Sequence, residues 1–278
     1  MLFFNNLFNH LTNICNFPFM PIQNSAERKD HNQNNKFVRI YNLGISDYKK
    51  VWEFQSSLQK HLIQSKRGGQ TDLPPSVHAN NYLIFCSHPP VYTLGKSGSM
   101  NNLLLNEREL KERDIQFYEI NRGGDITYHG PGQVVGYPIF NLDHFFHDVH
   151  LFVKGIEEVI IRTLDQYCII GSRIDKHTGV WIKSDSPKVP NRKICAIGIH
   201  ISRWVSMHGF AFNHSTDLNY FSNIIPCGIS DPNMSVTSLE KELGRRVDRK
   251  EIISIMRGHF KDIFSLSYEE TFQEIPEY

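Results

Sequence analysis

From Phe37 onward, apolar residues recur in two rhythms, and the points where one gives way to the other predict the elements. FVRIYNLG (37–44) is dense in β-branched and aromatic residues and closes on a glycine, which predicts a strand. Ser46 then stands as an N-cap ahead of Tyr48, Val51, Trp52, Leu58 and Leu62, whose stripe predicts a helix. Tyr82–Cys86, Val91–Leu94 and Ile115–Ile120 are short β-like runs, and Gln133–Leu142 follows a glycine-rich break. Residues 144–166 return to the helical rhythm, with Val149, Val153, Ile156, Ile160 and Leu164 on one stripe. Strand-like pieces recur at 168–174, 179–183, 193–202 and 208–213. Asp248 and Glu251 form a capping-box pattern ahead of Ile253, Met256, Phe260 and Ile263, which predicts a C-terminal helix. There is no internal repeat, and the mixture of strands and helices predicts one α/β domain with a mixed sheet over residues 37–278.

The first 36 residues fall outside this pattern. Residues 1–26 contain no Lys, Arg, Asp or Glu, and Asn5, Asn6, Asn9, Asn13 and Asn16 interrupt an apolar stretch. A signal peptide wants a basic start and an unbroken apolar run, and a transit peptide wants arginines. Neither grammar is present, so the segment reads as a poorly ordered or mis-started leader, with a weak amphipathic surface helix as the alternative. NSAERKDHNQNNK (24–36) is polar, lacks periodicity and reads as a linker.

Composition changes the picture mainly by exclusion. The 278 residues carry 30 Lys and Arg against 29 Asp and Glu, a formal charge of +1, which provides no global field for gathering nucleic acid or an anionic membrane. No apolar run reaches the roughly 18–20 residues of a bilayer span. Cys15, Cys86, Cys168, Cys195 and Cys227 are odd in number, scattered and without a C-x-x-C pair, so neither a disulfide framework nor a metal knuckle is expected, and a reducing compartment fits.

Candidate chemistry concentrates in three places. The densest is Arg122-Gly123-Gly124-Asp125-Ile126-Thr127-Tyr128-His129-Gly130-Pro131-Gly132-Gln133. Its glycines permit tight turns and close approach to a ligand, while Arg122, Thr127, Tyr128 and His129 offer donors and an acid or base. A long structural hairpin loop is the alternative. Lysine and threonine or serine do not follow the glycines, so it is no P-loop. In the second place, Lys193 opens an apolar strand, either snorkelling at its end or held inside for a purpose, and His208 opens another, either structural or functional. The third is Pro226-Cys227-Gly228-Ile229. Cys227 stands in a bend, whereas Cys86, Cys168 and Cys195 lie in β-like runs, so Cys227 is the cysteine expected to reach solvent. A thiol with an ordinary pKa is only about 3% thiolate at neutral pH, so a nucleophilic role requires a cationic or hydrogen-bonding neighbour such as Lys193 or a histidine. Otherwise it is an inert loop thiol.

Taken together, HPPVYTLG (88–95), RGGDITYHGPGQVVGYPIFNL (122–142), TGVW (178–181), KICAIGIHISRWVSMHGFAFN (193–213) and IIPCGI (224–229) resemble the lipoyl (octanoyl) transferase family over about residues 37–265. The resemblance implies the mixed-sheet α/β core shared by biotin protein ligases and lipoate–protein ligases. It implies Cys227 as acyl-thioester nucleophile and Lys193 as its proton-relaying partner. It also implies substrate contacts on Arg122, Gly123, Gly124, Asp125, Ile126, Thr127, Tyr128 and His129, on Ala196, Ile197 and Gly198, and on Gly209, Phe210 and Ala211. Phe210, Phe212, Ile197 and Tyr128 are the expected lining of an acyl tunnel, and backbone N–H groups near Gly198 or in the 122–132 loop the expected oxyanion donors. The donor would be octanoyl-acyl carrier protein, and the acceptors lipoyl domains of 2-oxoacid dehydrogenase complexes and the glycine cleavage H protein. Thioester exchange requires neither ATP nor a metal, so no cofactor is implied. The family implies a cytoplasmic monomer that binds neither nucleic acid nor membrane. Two other readings are an ATP-dependent lipoate or biotin ligase and a non-catalytic binding module. Cys195 in place of a small alanine, a lengthened hairpin at KSDSPKVPNR (183–192) and the leader depart from the family pattern.

Overall fold

A computed structural model describes residues 36–186, 188–225 and 234–276. The chain opens with β1 (Phe37–Ile45), α1 (Tyr48–Ser65) and β2 (Asn81–Ser87), and β1 and β2 pair in parallel, so α1 is the crossover of a β-α-β unit. β3 (Val91–Leu94), the short helix α2 (Glu107–Glu112), β4 (Gln116–Glu119) and β5 (Ile126–His129) follow; β4, β3 and β5 form a separate three-stranded sheet in that order. The chain then returns to the first sheet with β6 (Gln133–Phe140), α3 (Val149–Asp165), β7 (Ser172–Ile174), β8 (His177–Ile182), β9 (Asn191–Ser202) and β10 (Val205–Asn213). β11 (Met234–Val236), α4 (Leu239–Leu243), α5 (Arg249–Phe264) and β12 (Ser267–Phe272) complete it. The large sheet runs β12-β1-β2-β6-β10-β9-β8-β7, with β11 paired in parallel to β9. Parallel and antiparallel pairings coexist, as expected of a mixed sheet.

Side chains on β2 alternate between two apolar layers. Leu83 and Phe85 join the residues of α3 and α5, such as Phe152, Ile156 and Phe260; Tyr82, Ile84 and Cys86 join those of α1, such as Val51, Phe54 and Leu58. Burial on both faces is why this strand reads as a continuous apolar run. Pro138 sits inside β6, a position that removes a ladder donor. The Ser206 hydroxyl fills the gap: it donates to the Pro138 carbonyl at 2.7 Å and accepts the Phe140 N–H at 2.8 Å. Ladder pairing of β6 with β10 resumes only at Gly136 and Phe210, and between these two points His208 takes a left-handed φ of +61°.

Several boundaries differ from the sequence reading. Asp47, not Ser46, caps α1, accepting the Lys50 N–H at 2.9 Å, while the Ser46 hydroxyl turns back to the Leu43 carbonyl. Asp248 caps α5, but Glu251 accepts from the Tyr167 hydroxyl at 2.9 Å instead of closing a capping box. The reciprocal box is on α2, between Asn106 and Glu109. The expected strand at 168–174 shrinks to residues 172–174, because Cys168 has φ +56° in the turn after α3 and is exposed. The expectation that Cys168 lies within a strand is thereby corrected. The glycine-rich stretch is no loop throughout, since Ile126–His129 pairs with β3.

Candidate active site

A cavity of about 900 Å³ opens between the two sheets and along the unpaired side of β9. Ladder pairing of β8 with β9 ends at Val180 and Cys195, so Ala196, Ile197, Gly198 and Ile199 face open space there. Facing them are Arg122, Gly123, Gly124, Asp125, Ile126, Thr127 and His129, and the wall continues on β10 through His208, Gly209, Phe210 and Ala211. Two glycines are required by contact. A Cβ on Gly198 would lie 2.8 Å from the Gly123 carbonyl oxygen and 3.0 Å from Arg122 Cδ, and one on Gly209 would lie 2.0 Å from the Gly136 oxygen. The first close approach lets Arg122 and Gly123 sit directly over β9, and the second lets β10 run tight against β6.

Lys193 also lines the cavity, and its Nζ lies 4.7 Å from the centre of the Trp181 ring. An aromatic face stabilises the ammonium without consuming its hydrogens. Cys227 lies outside the described residues. The flanks of its segment are described: Ile225 donates to the Asn102 carbonyl at 2.8 Å, and Val236 pairs in register with Lys193.

The inner wall is a buried polar network. His129 Nδ1 donates to Gln133 Oε1 at 2.9 Å; Gln133 Nε2 donates to Tyr128 O and to Asn213 Oδ1; Asn213 Nδ2 donates to Thr237 O. Two acceptors around Gln133 Nε2 set its amide orientation, which in turn makes His129 Nδ1 the protonated nitrogen. The same reasoning applies to His88. Its Nδ1 must donate to the Ser46 carbonyl at 2.7 Å, so Nε2 accepts from the Tyr137 hydroxyl at 2.8 Å. Arg122 Nη2 donates to the Thr93 carbonyl at 2.6 Å and to its hydroxyl at 3.0 Å. Burial pushes the imidazoles down, His88 to about 4 and His129 to about 3, the latter helped by His88 and the Arg122 guanidinium. Both are neutral at physiological pH and act as oriented hydrogen-bonding groups.

Three expected roles change on contact with the structure. Tyr128 does not line the cavity: its ring stacks on Tyr220 at 4.6 Å and 8°, in a separate apolar cluster. Phe212 shares a strand face and a core cluster with Phe210 but is fully buried under α3 and α5 and does not line the cavity, while Phe210 and Ile197 do. The Gly123 N–H is already donated to the Ile199 carbonyl at 2.9 Å, so it is no oxyanion donor. Sequence reasoning missed Tyr48 and Tyr137, which read as helix-stripe and strand positions, and the rim formed by His150, Lys154 and Asp175–Thr178. Nothing in their local pattern marks them, because they reach the cavity from α1, β6, α3 and the β7–β8 turn.

The lipoyl protein ligase A/B catalytic domain matches residues 47–261. This chain belongs to that family. Within it, an octanoyltransferase from Cytophaga hutchinsonii is 50% identical over 243 residues, which cover 87% of this chain and 98% of that relative. An octanoyltransferase from Parabacteroides distasonis is 46% identical over 229 residues, covering 82% and 98%. Among solved structures, a bipartite lipoate protein ligase from Thermoplasma acidophilum superposes with a TM-score of 0.61 at 15% identity, covering 85% of this chain and 88% of that one. A lipoate-protein ligase A bound with ATP gives 0.59 at 15% identity, covering 85% and 90%. At such identities the likeness establishes the mixed-sheet fold of the lipoyl protein ligase family and nothing finer. Among the described residues, no helix is long and apolar enough to cross a membrane and no group of three His, Cys, Asp or Glu side chains is disposed to hold a metal.

Proposed function

We propose that the chain is an octanoyltransferase of protein lipoylation, taking the acyl group from octanoyl-acyl carrier protein and delivering it to a lysine of a lipoyl domain through a thioester on Cys227. The observation that carries this reading is Lys193 on the wall of a cavity beside the described flanks of the Cys227 segment, with an apolar stretch of Ala196, Ile197, Ile199, Phe210 and Ala211 leading away from it. The names of the relatives across most of the chain support the choice of acyl group.

In the first step the Cys227 thiolate attacks the thioester carbonyl. The bond from that carbon to the carrier thiol breaks, and the leaving thiolate takes a proton from Lys193, which had received the one from Cys227. In the second step the acceptor lysine amine attacks the new thioester, an amide forms, the excess proton passes through Lys193 and the Cys227 sulfur leaves. One thioester replaces another in the first half, so no adenylate is needed. The chemistry comes entirely from this chain's side chains, acting as a cytoplasmic monomer on lipoyl domains of 2-oxoacid dehydrogenase complexes and on the glycine cleavage H protein.

Intact-mass spectrometry tests the mechanism. Protein incubated with octanoyl-acyl carrier protein should gain one octanoyl group and pass it to a lipoyl domain, and Cys227→Ser should do neither. Transfer retained in Cys227→Ser would overturn the cysteine pathway. Modification of the lipoyl domain from free octanoate and ATP would identify a ligase instead.

A further inference from the structure

We infer that Trp181 is a positioning residue for the proposed reaction: its ring face holds the Lys193 ammonium at the cavity wall, where the proton of each transfer step is taken up and returned. The inference rests on the acyl-transfer reading above and adds to it a residue that touches no substrate. Trp181 is 1% exposed and does not line the cavity, whereas Lys193 does. Any effect of the tryptophan on the reaction therefore passes through the lysine.

Three features of the fold bring the two side chains together. A bulge on β9 sets their pairing: Ile194 and Cys195 both turn into the core under α3 and α5, the register moves by one residue, and Lys193 rather than Ile194 stands opposite Trp181. Side chains directly opposite in an antiparallel pair share a face, so ammonium and ring meet, with Nζ 4.7 Å from the ring centre. The ring is held in turn, since its Nε1 donates to the His177 carbonyl at 3.1 Å and the His177 imidazole stands edge-on to it at 6.0 Å. On the other side of β9 the lysine backbone is tied as well, where Val236 pairs with it and the Thr237 N–H donates to its carbonyl at 3.0 Å.

A lysine that receives and returns a proton needs restraint, because its four-carbon stem samples many rotamers, yet the restraint must leave its N–H groups available. A carboxylate bonded to the ammonium would occupy them. Glu157, the buried carboxylate on the same cavity, is committed elsewhere, accepting from Arg173 Nε at 2.9 Å and from the Gly179 N–H at 3.0 Å. The indole face attracts the cation through its quadrupole and takes no conventional hydrogen bond. That attraction weakens as electron density is drawn from the ring, so it can be graded at nearly constant shape. The TGVW run (178–181) thus acts through two residues. Gly179 ties β8 to Glu157, with a φ of +119° and the Cys195 oxygen 2.4 Å from where a Cβ would stand, and Trp181 holds the lysine.

The experiment places mono-, di- and trifluorotryptophan at position 181 alone, by nonsense suppression, and adds Trp181→Phe and Trp181→Leu. The expected result is a kcat for transfer from octanoyl-acyl carrier protein that falls stepwise with fluorination, by about tenfold across the series, while KM stays within about twofold of wild type. Trp181→Phe keeps a smaller ring face and should retain more of kcat than Trp181→Leu. The fluorinated proteins keep the packing of the wild type, so the series decides even where Trp181→Leu does not fold. NMR of lysine-labelled protein reads the contact without substrate. The ε-CH2 protons of Lys193, assigned by their loss in Lys193→Arg, should resonate upfield of the other lysines under the ring current and return toward them in Trp181→Leu. A kcat independent of fluorination, or Lys193 protons at the common lysine position in wild type, overturns the inference. A wild type that transfers no octanoyl group, yet shows the upfield protons and loses them in Trp181→Leu, would remove the transferase reading while leaving the hold on the lysine in place.

Discussion

The core under α3 and α5 and the end of the opposite face nearest the small sheet are buried equally well by opposite means. Under α3 and α5 lies a core rich in phenylalanine: Phe264 is 2% exposed and its ring lies against Phe140, Phe145, Phe146, Phe152 and Phe260 at centroid distances of 5.7–6.2 Å. On the other face, where the small sheet and the start of α1 meet β6 and β10, the buried groups are His88, Thr93, Arg122, His129, Gln133, Asn213 and the hydroxyl of Tyr137. Apolar contacts are individually small, numerous and undirected, so a core of this kind yields stability but little control of angle. A chain of hydrogen bonds has one arrangement that satisfies it, and it sets ring orientation and tautomer as well as position. The cavity touches both, with Val153 of α3, Ile197 and Phe210 on one wall and Arg122, His129 and Tyr137 on another, and the second wall suits a site that must present defined lone pairs.

Substitution can break this contrast. Phe264→Ala removes a fully packed ring and should destabilise the protein by about 3–5 kcal/mol, read from urea denaturation, while the folded fraction keeps its turnover. Should turnover fall in proportion to stability, the apolar face would be part of the catalytic geometry and the division would fail.

Gln133→Leu should be milder in stability and harsher in function. It leaves His129 Nδ1, Asn213 Oδ1 and Tyr128 O without their partner, for about 2–3 kcal/mol in total after relaxation. With the His129 ring no longer oriented, transfer at saturating substrate should fall at least about tenfold, a loss on the scale of other positioning groups. A Gln133→Leu protein with wild-type turnover would show that the network serves packing alone.

The smallest effect is the pH dependence of stability. His88, His129 and His208 titrate at about 4, 3 and 3 in the folded protein, each because burial disfavours the imidazolium, against about 6.5 in an unfolded chain. Below pH 6.5 the unfolded state thus binds more protons, and stability must fall as pH drops, by up to about 1.4 kcal/mol per pH unit for each histidine. Melting temperature should be level above pH 7 and decline between pH 6.5 and 4.5, before the carboxylates respond. Burial beside His78 pushes His61 down to about 4 as well, so His208→Asn should make that decline shallower by at most about a quarter; an equal slope would place the proton uptake elsewhere.

The fold was legible wherever the pattern was local. Val91–Leu94 coincides with its strand, and the stripe from Val149 to Leu164 lies on α3, though the helix starts at Val149 rather than at residue 144. Asp47 displaced Ser46 as a cap because both side chains can cap and only the final direction of the chain decides between them. Cys168 misled because an apolar run of five or six residues reads alike in a strand and in a helix exit. Of the candidate site, Arg122–Thr127, His129, Ala196–Gly198 and Gly209–Ala211 do line the cavity, while Tyr128 turns away because its own strand alternates.

What the sequence determined by itself was the order and kind of most elements, the family, and the short runs in which chemistry is concentrated, since all of these rest on periodicity and on residue types within a few positions of one another. Only the tertiary structure decided that Tyr48 and Tyr137 join the cavity, that the Gly123 N–H is already committed, and which nitrogen of His88 and of His129 carries the proton. Those outcomes depend on partners distant in the chain, such as Asn213 for Gln133, 80 residues away, and Ser46 for His88, 42 residues away. A buried polar group must satisfy itself with whatever the fold brings near it, and local pattern carries no record of that.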